Sequence, residues 1–513
     1  MSKWNLSWLV GLIVVAVVGL SLTYSAPNQV RNLQAKHQNL KLLVDVLEEV
    51  EERYVKPLDD EKKRELVENM ITGGLEKLDP HSAFIGADEY KQFQKQSRGK
   101  FGGIGIRIGI DRAGQIFVES PMVGTPAYEA GILAGDVIVK VEGQATDNMS
   151  LKKVVDTIQG DAGTKVTISV LHEGDKKPVD IEIVRAEISI DSVLGDQRMQ
   201  NNLKEWNFWV DPQSKIAYVR ISAFTETTVA ELTKVVDMLQ RQGMAGLVVD
   251  LRNNPGGLLT AAVEVSSVFL PKGSKVVSTK SRGNTPEKSF DSQPDNLNVK
   301  QGRYPIAILI NRYSASASEI VAAALQDHAR AVIIGERSYG KGSVQNVIPM
   351  ENNTTALKLT TASYWRPSGK NIHRFPDSKD TDDWGVKPNQ GYEVKLSDEE
   401  RIEYLKYRRD RDIIRRVGQE KKEEAKKDEA KKDDGKNEKA KEPFRDRVLD
   451  KAVEYIRGKL NEAGKENAQN PPPPPAQRRE RPENDDPAEN LGALEPARGN
   501  GMIRREHEVR LAS

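Results

Sequence analysis

Three side chains at short intervals past the middle of the chain could together break an acyl bond: Ser316, Lys341 and Gln345. Ser316 lies in NRYSASASE, after an apolar run, Ile306 to Ile310, and before an alanine-rich stretch, Ala317 to Gln326, that reads as a buried helix. A serine at the mouth of a helix sits beside the unpaired N–H groups of the first turn, which stabilise negative charge developing on a substrate oxygen. Ser314, Ser316 and Ser318 would serve equally well as helix caps, so the local pattern leaves both readings open.

A return strand, Ala331 to Ile334, leads to Tyr339-Gly340-Lys341-Gly342, where glycines on both sides let the backbone turn tightly. Such a return can bring Lys341 back to the serine. Desolvated there, its ammonium would fall from an ordinary pKa of about 10.4 towards about 7 to 8 and become a usable general base. Ser–Lys pairs are a variant of the triad logic. Gln345 shares a face with Lys341 if the strand begins at the lysine, and its amide oxygen could then orient the ammonium. The plainer alternatives are a solvated loop lysine and an exposed strand residue. A further stretch, VVDLRNNPGGLL from Val248 to Leu259, is a hydrophobic strand ending at Gly256-Gly257. It is either a place of close backbone approach or an ordinary turn from strand to helix.

Around these residues the chain is long enough for several domains, with 513 residues, 77 Lys plus Arg and 76 Asp plus Glu. That balance provides no global field to attract nucleic acid. Cysteine is absent, which excludes a thiol nucleophile and disulfides, and the six histidines form no zinc-binding pair. No cofactor or metal is implied. Trp4 to Tyr24 is apolar, follows Lys3 and carries aromatics near its ends, as a membrane span does. An uncleaved anchor is favoured over a signal peptide cut after Ser25, and either one exports the rest of the chain to the periplasmic side of a bacterial membrane. Residues 27–98 show helical periodicity at Leu42, Leu43, Val46, Leu47, Val50 and Tyr54, suited either to homodimerisation or to packing on the core. Beyond about Lys395 the composition turns to charge, alanine and a Pro471 to Pro475 run, so residues 396–513 read as solvated helix or disorder. Within them, Phe444 to Leu460 carries one amphipathic helix suited to docking or dimerising.

SASASE, YGKG and a glutamine four residues after the lysine resemble the carboxyl-terminal processing peptidases, also called tail-specific proteases. The resemblance covers residues 40 to 395 in family order and implies a serine endopeptidase that cleaves exported polypeptides near their carboxyl termini. It assigns Ser316 as nucleophile, Lys341 as base and Gln345 as the residue that orients it. Asp327 matches a position sometimes given to a charge relay, and the N–H groups of Gly257 and Ala317 become the oxyanion donors. Residues 99–187 resemble a PDZ domain: FGGIGIRIG, then IFVES, then SPMVGTPAYEAGILAGDVIVKVEGQ. An open sheet edge there would take up a peptide as an added strand. Its terminal carboxylate would lie at the capture loop of Gly103, Ile104, Gly105 and Ile106, with Val154, Val155 and Ile158 near the groove. The chain departs from the family at Gln159, where arginine is common. The implied fold is multidomain α+β: a mixed α/β serine peptidase core over 188–395, an inserted PDZ domain, a helical amino-terminal segment, and a charged, largely disordered tail. The partners implied are polypeptides with free carboxyl termini and, through the anchor, a membrane. A PDZ adaptor at the membrane with a silent hydrolase-like core is the alternative, and the intact Ser316, Lys341 and Gln345 argue against it.

Overall fold

Four short runs of β-branched and aliphatic residues form the centre of the molecule. They are β9 (Ile216–Ile221), β10 (Gly246–Asp250), β13 (Ile306–Ile310) and β14 (Val332–Gly335), paired in that order as parallel neighbours. Parallel strands covered on both faces need apolar residues at every position, and the residues of β10, β13 and β14 are all buried. The computed structural model describes residues 38–97, 99–111, 113–147, 149–199, 202–283, 287–296, 304–413 and 444–469. The Trp4 to Tyr24 segment and the Pro471 to Pro475 run lie outside the described residues. Among the described residues no helix is long and apolar enough to cross a membrane.

Alternate side chains of the central strands point to opposite layers, as the two-residue period of a strand requires. Ala217, Val219, Leu247, Val249 and Ile308 pack with α5 (Thr228–Arg241), α6 (Leu259–Phe269) and α7 (Ala317–Asp327). Ile216, Tyr218, Val248, Leu309 and Ile334 face the other way, against Val448, Ala452 and Ile456 of α9 (Arg447–Gln469). Those three are four residues apart and form one stripe on that helix. Each such fully buried aliphatic side chain contributes about 1.5–3 kcal/mol. A Cβ on Gly246 would stand 2.3 Å from Ile456 Cγ2, so this strand admits the helix only because it starts with glycine. The packing therefore corrects the boundary expected at 395. Tyr404 of α8 (Asp398–Asp412) is also buried, and Asp446 holds the buried Arg252 at 2.9 and 2.8 Å. Composition concealed this because the charged stretch between the two helices dominates the average.

A second, antiparallel sheet lies beside the central one. β1 (Ala83–Ile85) and β11 (Lys275–Ser281) both pair with β16 (Thr355–Trp365), as does β15 (Ser343–Met350), and β12 (Lys288–Asp291) borders β11. The amino-terminal segment consists of α1 (38–53), α2 (Asp60–Leu78) and α3 (Ala87–Ser97), with β1 between the last two. Asp59 caps α2 by accepting the Lys62 N–H at 2.9 Å.

The insert is a third sheet, ordered β3 (Ile106–Ile110), β4 (Ile116–Pro121), β5 (Val137–Val141), β6 (Lys165–Leu171) and β7 (Val179–Val184), with α4 (Leu151–Ile158) packed on it. Among the described residues β3 pairs on one side only, with β4. The chain enters through β2 (Lys100–Gly103) and leaves through β8 (Ala186–Ser189), and these pair antiparallel from Lys100↔Ser189 to Gly103↔Ala186. Val154 and Ile158, expected near the groove, are buried in one cluster with Ile104, and Ile106 of β3 packs against it.

Candidate active site

The hydroxyls of the three neighbouring serines have different fates. Ser314 is buried and donates to the Leu251 carbonyl at 2.8 Å, and Ser318 is buried and donates to the Asn254 carbonyl at 2.9 Å. Ser316 is partly exposed, and its hydroxyl donates to no other group among the described residues. Its backbone has φ 56° and ψ −114°, a conformation that L residues with a Cβ seldom adopt. Such strain at a strand-to-helix turn projects a side chain from its surroundings and is held only where neighbours over-determine it.

Glu319 is the neighbour that does so. It is fully buried in the first turn of α7, and four donors converge on its carboxylate. Oε2 accepts the Ser316 N–H at 2.8 Å and the Lys341 N–H at 2.8 Å, while Oε1 accepts the Gly340 N–H at 2.6 Å and the Ser338 hydroxyl at 2.6 Å. One carboxylate thus ties the serine turn to the glycine-flanked lysine turn. Burial pushes the Glu319 carboxyl up to about 7, against the pull of the four donors. The sequence signal was present as Ser-x-x-Glu at a helix start, a capping-box pattern, together with an acid inside a helix of alanines.

Lys341 is half-buried. Burial lowers its pKa, the like charge of Lys358 on β16 lowers it further, and Glu319 opposes both. Among the described residues the ammonium has no hydrogen-bond partner. Gly340 has φ 87°, and a Cβ on Gly342 would stand 2.2 Å from the His373 nitrogen, so both flanking glycines are required here. Gln345 pairs across the sheet with Thr360. Its amide nitrogen donates to Ser343 Oγ at 2.8 Å and to Thr360 Oγ1 at 3.2 Å.

The Gly256-Gly257 turn meets the serine turn. Asn254 is fully buried, accepts the Gly256 N–H at 2.8 Å, donates to the Ile221 carbonyl at 2.7 Å, and its carbonyl accepts the Ala315 N–H at 3.1 Å. A Cβ on Gly256, whose φ is 102°, would stand 2.8 Å from Ser316 Cβ and 2.9 Å from the Ala317 nitrogen. Gly257 has φ 146° and faces Phe224, whose carbonyl a Cβ would meet at 2.1 Å. Neither the Gly257 N–H nor the Ala317 N–H has an acceptor among the described residues.

Asp327 requires a correction. It ends α7, about 16 Å from Ser316 at 1.5 Å rise per residue, where Arg366 donates to it at 2.6 and 3.0 Å. Against burial, Arg366 and the Ser368 N–H hold its carboxyl below the usual range. It is one half of an ion pair that anchors the end of β16, and it belongs to no relay at the serine.

In the insert, Gly103 ends β2, Ile104 is buried, and Gly105 takes φ 80°. The Ile104 carbonyl accepts the Ala127 N–H and the Gly105 carbonyl the Met122 N–H, both at 2.9 Å, and Ile106 opens the edge strand β3. Behind this loop Arg185 donates to the last carbonyls of α4, Thr157 at 2.9 Å and Ile158 at 2.8 Å. It supplies a cation beside Gln159-Gly160 from another element. Among the described residues no cluster of His, Asp or Glu could hold a metal ion.

Residues 215–389 match the family described as Peptidase family S41, and residues 117–171 match a PDZ domain. The chain is 39% identical to the carboxy-terminal-processing protease of Bartonella bacilliformis over 387 residues, 74% of this chain and 84% of that protein. It is 32% identical to the carboxy-terminal processing protease CtpA of Bacillus subtilis over 359 residues, 70% of this chain and 69% of that protein. To the carboxyl-terminal-processing protease of Synechocystis it is 33% identical over 366 residues, 70% of this chain and 77% of that protein.

Proposed function

The chain belongs to peptidase family S41, as a serine peptidase of the carboxy-terminal processing type acting on polypeptides, and on that footing we propose that Ser316 is its nucleophile and Lys341 its base. Neutral Lys341 takes the proton from Ser316 Oγ as that oxygen attacks the scissile carbonyl. The lysine then delivers the proton to the leaving amine, and water releases the acyl group by the same steps in reverse. The N–H groups of Gly257 and Ala317 receive the oxyanion, and the Gln345 amide oxygen orients the lysine. The single observation that carries this reading is the Glu319 carboxylate, one oxygen of which accepts the N–H of both Ser316 and Lys341. Burial and Lys358, which together favour a neutral amine, support the lysine as base.

The edge strand β3 and the loop from Gly103 to Ile106 support a role for the PDZ domain in taking up the substrate's carboxyl-terminal segment as an added strand. Both tethers of that domain form one two-stranded ribbon, β2 with β8, which suits a lid that rocks as a unit over the peptidase core. Cleavage near the carboxyl terminus of exported polypeptides, on the periplasmic side of a membrane held by the Trp4 to Tyr24 anchor, completes the proposal. Pairing with a second copy through α1, whose Leu40, Leu42, Leu43 and Val46 are exposed, belongs to it too.

The full chain is assayed against an unfolded polypeptide beside Ser316→Ala and Lys341→Ala. Both variants are expected to fall to background while folding normally, because nucleophile and base act as a unit. A serine-reactive probe should label the wild type and not Ser316→Ala. Wild-type turnover in folded Lys341→Ala would refute the dyad.

A further inference from the structure

We propose that Asp79, which lies in the amino-terminal segment and outside the peptidase core, is a positioning residue for the lysine base: through Thr360 it decides which end of the Gln345 amide is turned towards Lys341. The proposal rests on the reading of Lys341 as base and Gln345 as the residue that orients it. It concerns the motif Asp79-Pro80-His81-Ser82, to which the dyad by itself gives no task.

Asp79 ends α2, and the chain folds back so that this one carboxylate meets several donors. Oδ1 accepts the N–H of His81 at 2.8 Å and of Ser82 at 2.9 Å, and Oδ2 accepts the Ser82 hydroxyl at 2.5 Å. Oδ1 also accepts the Thr360 hydroxyl at 3.0 Å, across 281 residues of sequence. Ser82 Oγ in turn accepts the Thr360 N–H at 3.0 Å, so the motif grips Thr360 by both backbone and side chain. β1 follows at once and pairs with β16 from Ala83↔Lys358 to Ile85↔Ala356, which fixes the register of this grip.

Hydrogen-bond accounting then carries the effect inward. An ionised carboxylate only accepts, and a hydroxyl has one proton to give. Thr360 gives its proton to Asp79, so its oxygen can only accept from the Gln345 amide, 3.2 Å away. That fixes the amide nitrogen on the Thr360 side and leaves the oxygen for the lysine. Ser343 Oγ, 2.8 Å from the same nitrogen, is a hydroxyl that can donate or accept and cannot fix the choice by itself. Without the carboxylate, Thr360 is free to donate to the amide oxygen and the amide can turn over. Its NH₂ would then face Lys341, repelling the ammonium and occupying the lone pair that must take the serine proton.

The neighbourhood is electrostatically continuous. Burial lowers the pKa of His81, the Lys341 charge lowers it further, and Asp79 opposes this, while Lys358 and His373 also act on it. Against burial, the donors around Asp79 hold its carboxyl below the usual range, so it remains the acceptor at neutral pH.

Thr360→Val removes the hydroxyl and keeps the shape, Thr360→Ser restores the hydroxyl, and Asp79→Ala removes the carboxylate that takes the Thr360 proton. In the full chain, kcat and KM for an unfolded polypeptide are measured against pH. Thr360→Val and Asp79→Ala are each expected to lower kcat about tenfold with KM unchanged, a fraction of what a general base contributes. Both should also move the basic group seen in the pH profile to a lower pKa, because an amide NH₂ in place of an amide oxygen turned towards the ammonium disfavours its charged form. Thr360→Ser should restore both quantities, and Thr360→Val should cost nothing more in a Gln345→Ala background. A folded Thr360→Val protein with the wild-type kcat and pH profile overturns the proposal. So does an undiminished tenfold loss in the Gln345→Ala background. Failure of the dyad itself shows separately, as turnover surviving in Lys341→Ala.

Discussion

Replacing Glu319 by glutamine keeps the size of the side chain and changes what it can accept. The carboxylate takes four hydrogen bonds, two on each oxygen: Ser316 N–H and Lys341 N–H on one, Gly340 N–H and the Ser338 hydroxyl on the other. Glutamine offers one oxygen, and its NH₂ turns donors against the remaining pair. If the pair on Oε2 is retained, the two turns stay joined but the lysine turn loses its Gly340 N–H and Ser338 hydroxyl bonds, and if the other pair is retained, Ser316 is cut loose from the lysine turn. Two hydrogen bonds to a charged acceptor, at about 1.5 kcal/mol each, amount to about 3 kcal/mol, or about a hundredfold in rate if the loss is felt in the transition state. The effect has a pH signature as well. With the carboxyl raised to about 7, the protonated wild type resembles the glutamine variant below that pH and departs from it above. The ratio of wild-type to variant kcat/KM should therefore be about ten at pH 6, where about a tenth of the carboxyl is ionised, and approach a hundred by pH 8. Linkage runs the other way for stability. A carboxyl whose folded pKa exceeds its unfolded value holds its proton better in the folded chain. Its contribution is fully present below about 4.5 and is lost as pH rises through about 7. Wild type should thus lose stability relative to Glu319→Gln across that window, by about 3 kcal/mol at most. The assay is cleavage of an unfolded polypeptide from pH 5.5 to 9, with thermal melts at the same pH values. A folded variant within threefold of wild type at pH 8, or a ratio that stays constant with pH, would refute the argument.

Lys358→Met removes the like charge that lowers the Lys341 pKa, so the rising limb of kcat/KM should move to higher pH while the plateau stays; an unmoved limb would show that burial alone sets the base. Asp327→Ala strips a mostly buried ion pair at the far end of α7. It should cost about 3 kcal/mol of stability and leave kcat of the folded protein unchanged, and a hundredfold loss of kcat would return Asp327 to the mechanism. Amidating the carboxyl terminus of a good substrate removes the charged partner of the loop from Gly103 to Ile106. KM should rise about tenfold, the worth of one charge-assisted hydrogen bond, and an unaltered KM would mean that the PDZ domain does not read that terminus.

Much of the site was legible because its parts are local. A serine before an alanine helix, a lysine between two glycines and a glycine pair after an apolar strand each announce a backbone event within a few residues, and Ser316, Gly340 and Gly256 do take positive φ. The sequence also contained the parallel strands, since burial on both faces leaves an unbroken apolar run such as Ile306–Ile310. Asp327 shows where motif matching by position fails, because its place beside Arg366 follows from the length of a helix and not from any neighbour in the chain. What only the tertiary structure decided are the pairings across long separations. Glu319 meets Lys341, Asp79 meets Thr360, Lys358 acts on Lys341, and Val448, Ala452 and Ile456 close the back of the central sheet. Sequence periodicity reports which side of an element is apolar and carries no information about what that side will meet. The partner is set by sheet register and by the return of distant segments, and a buried polar group shows its purpose only when its donors have arrived.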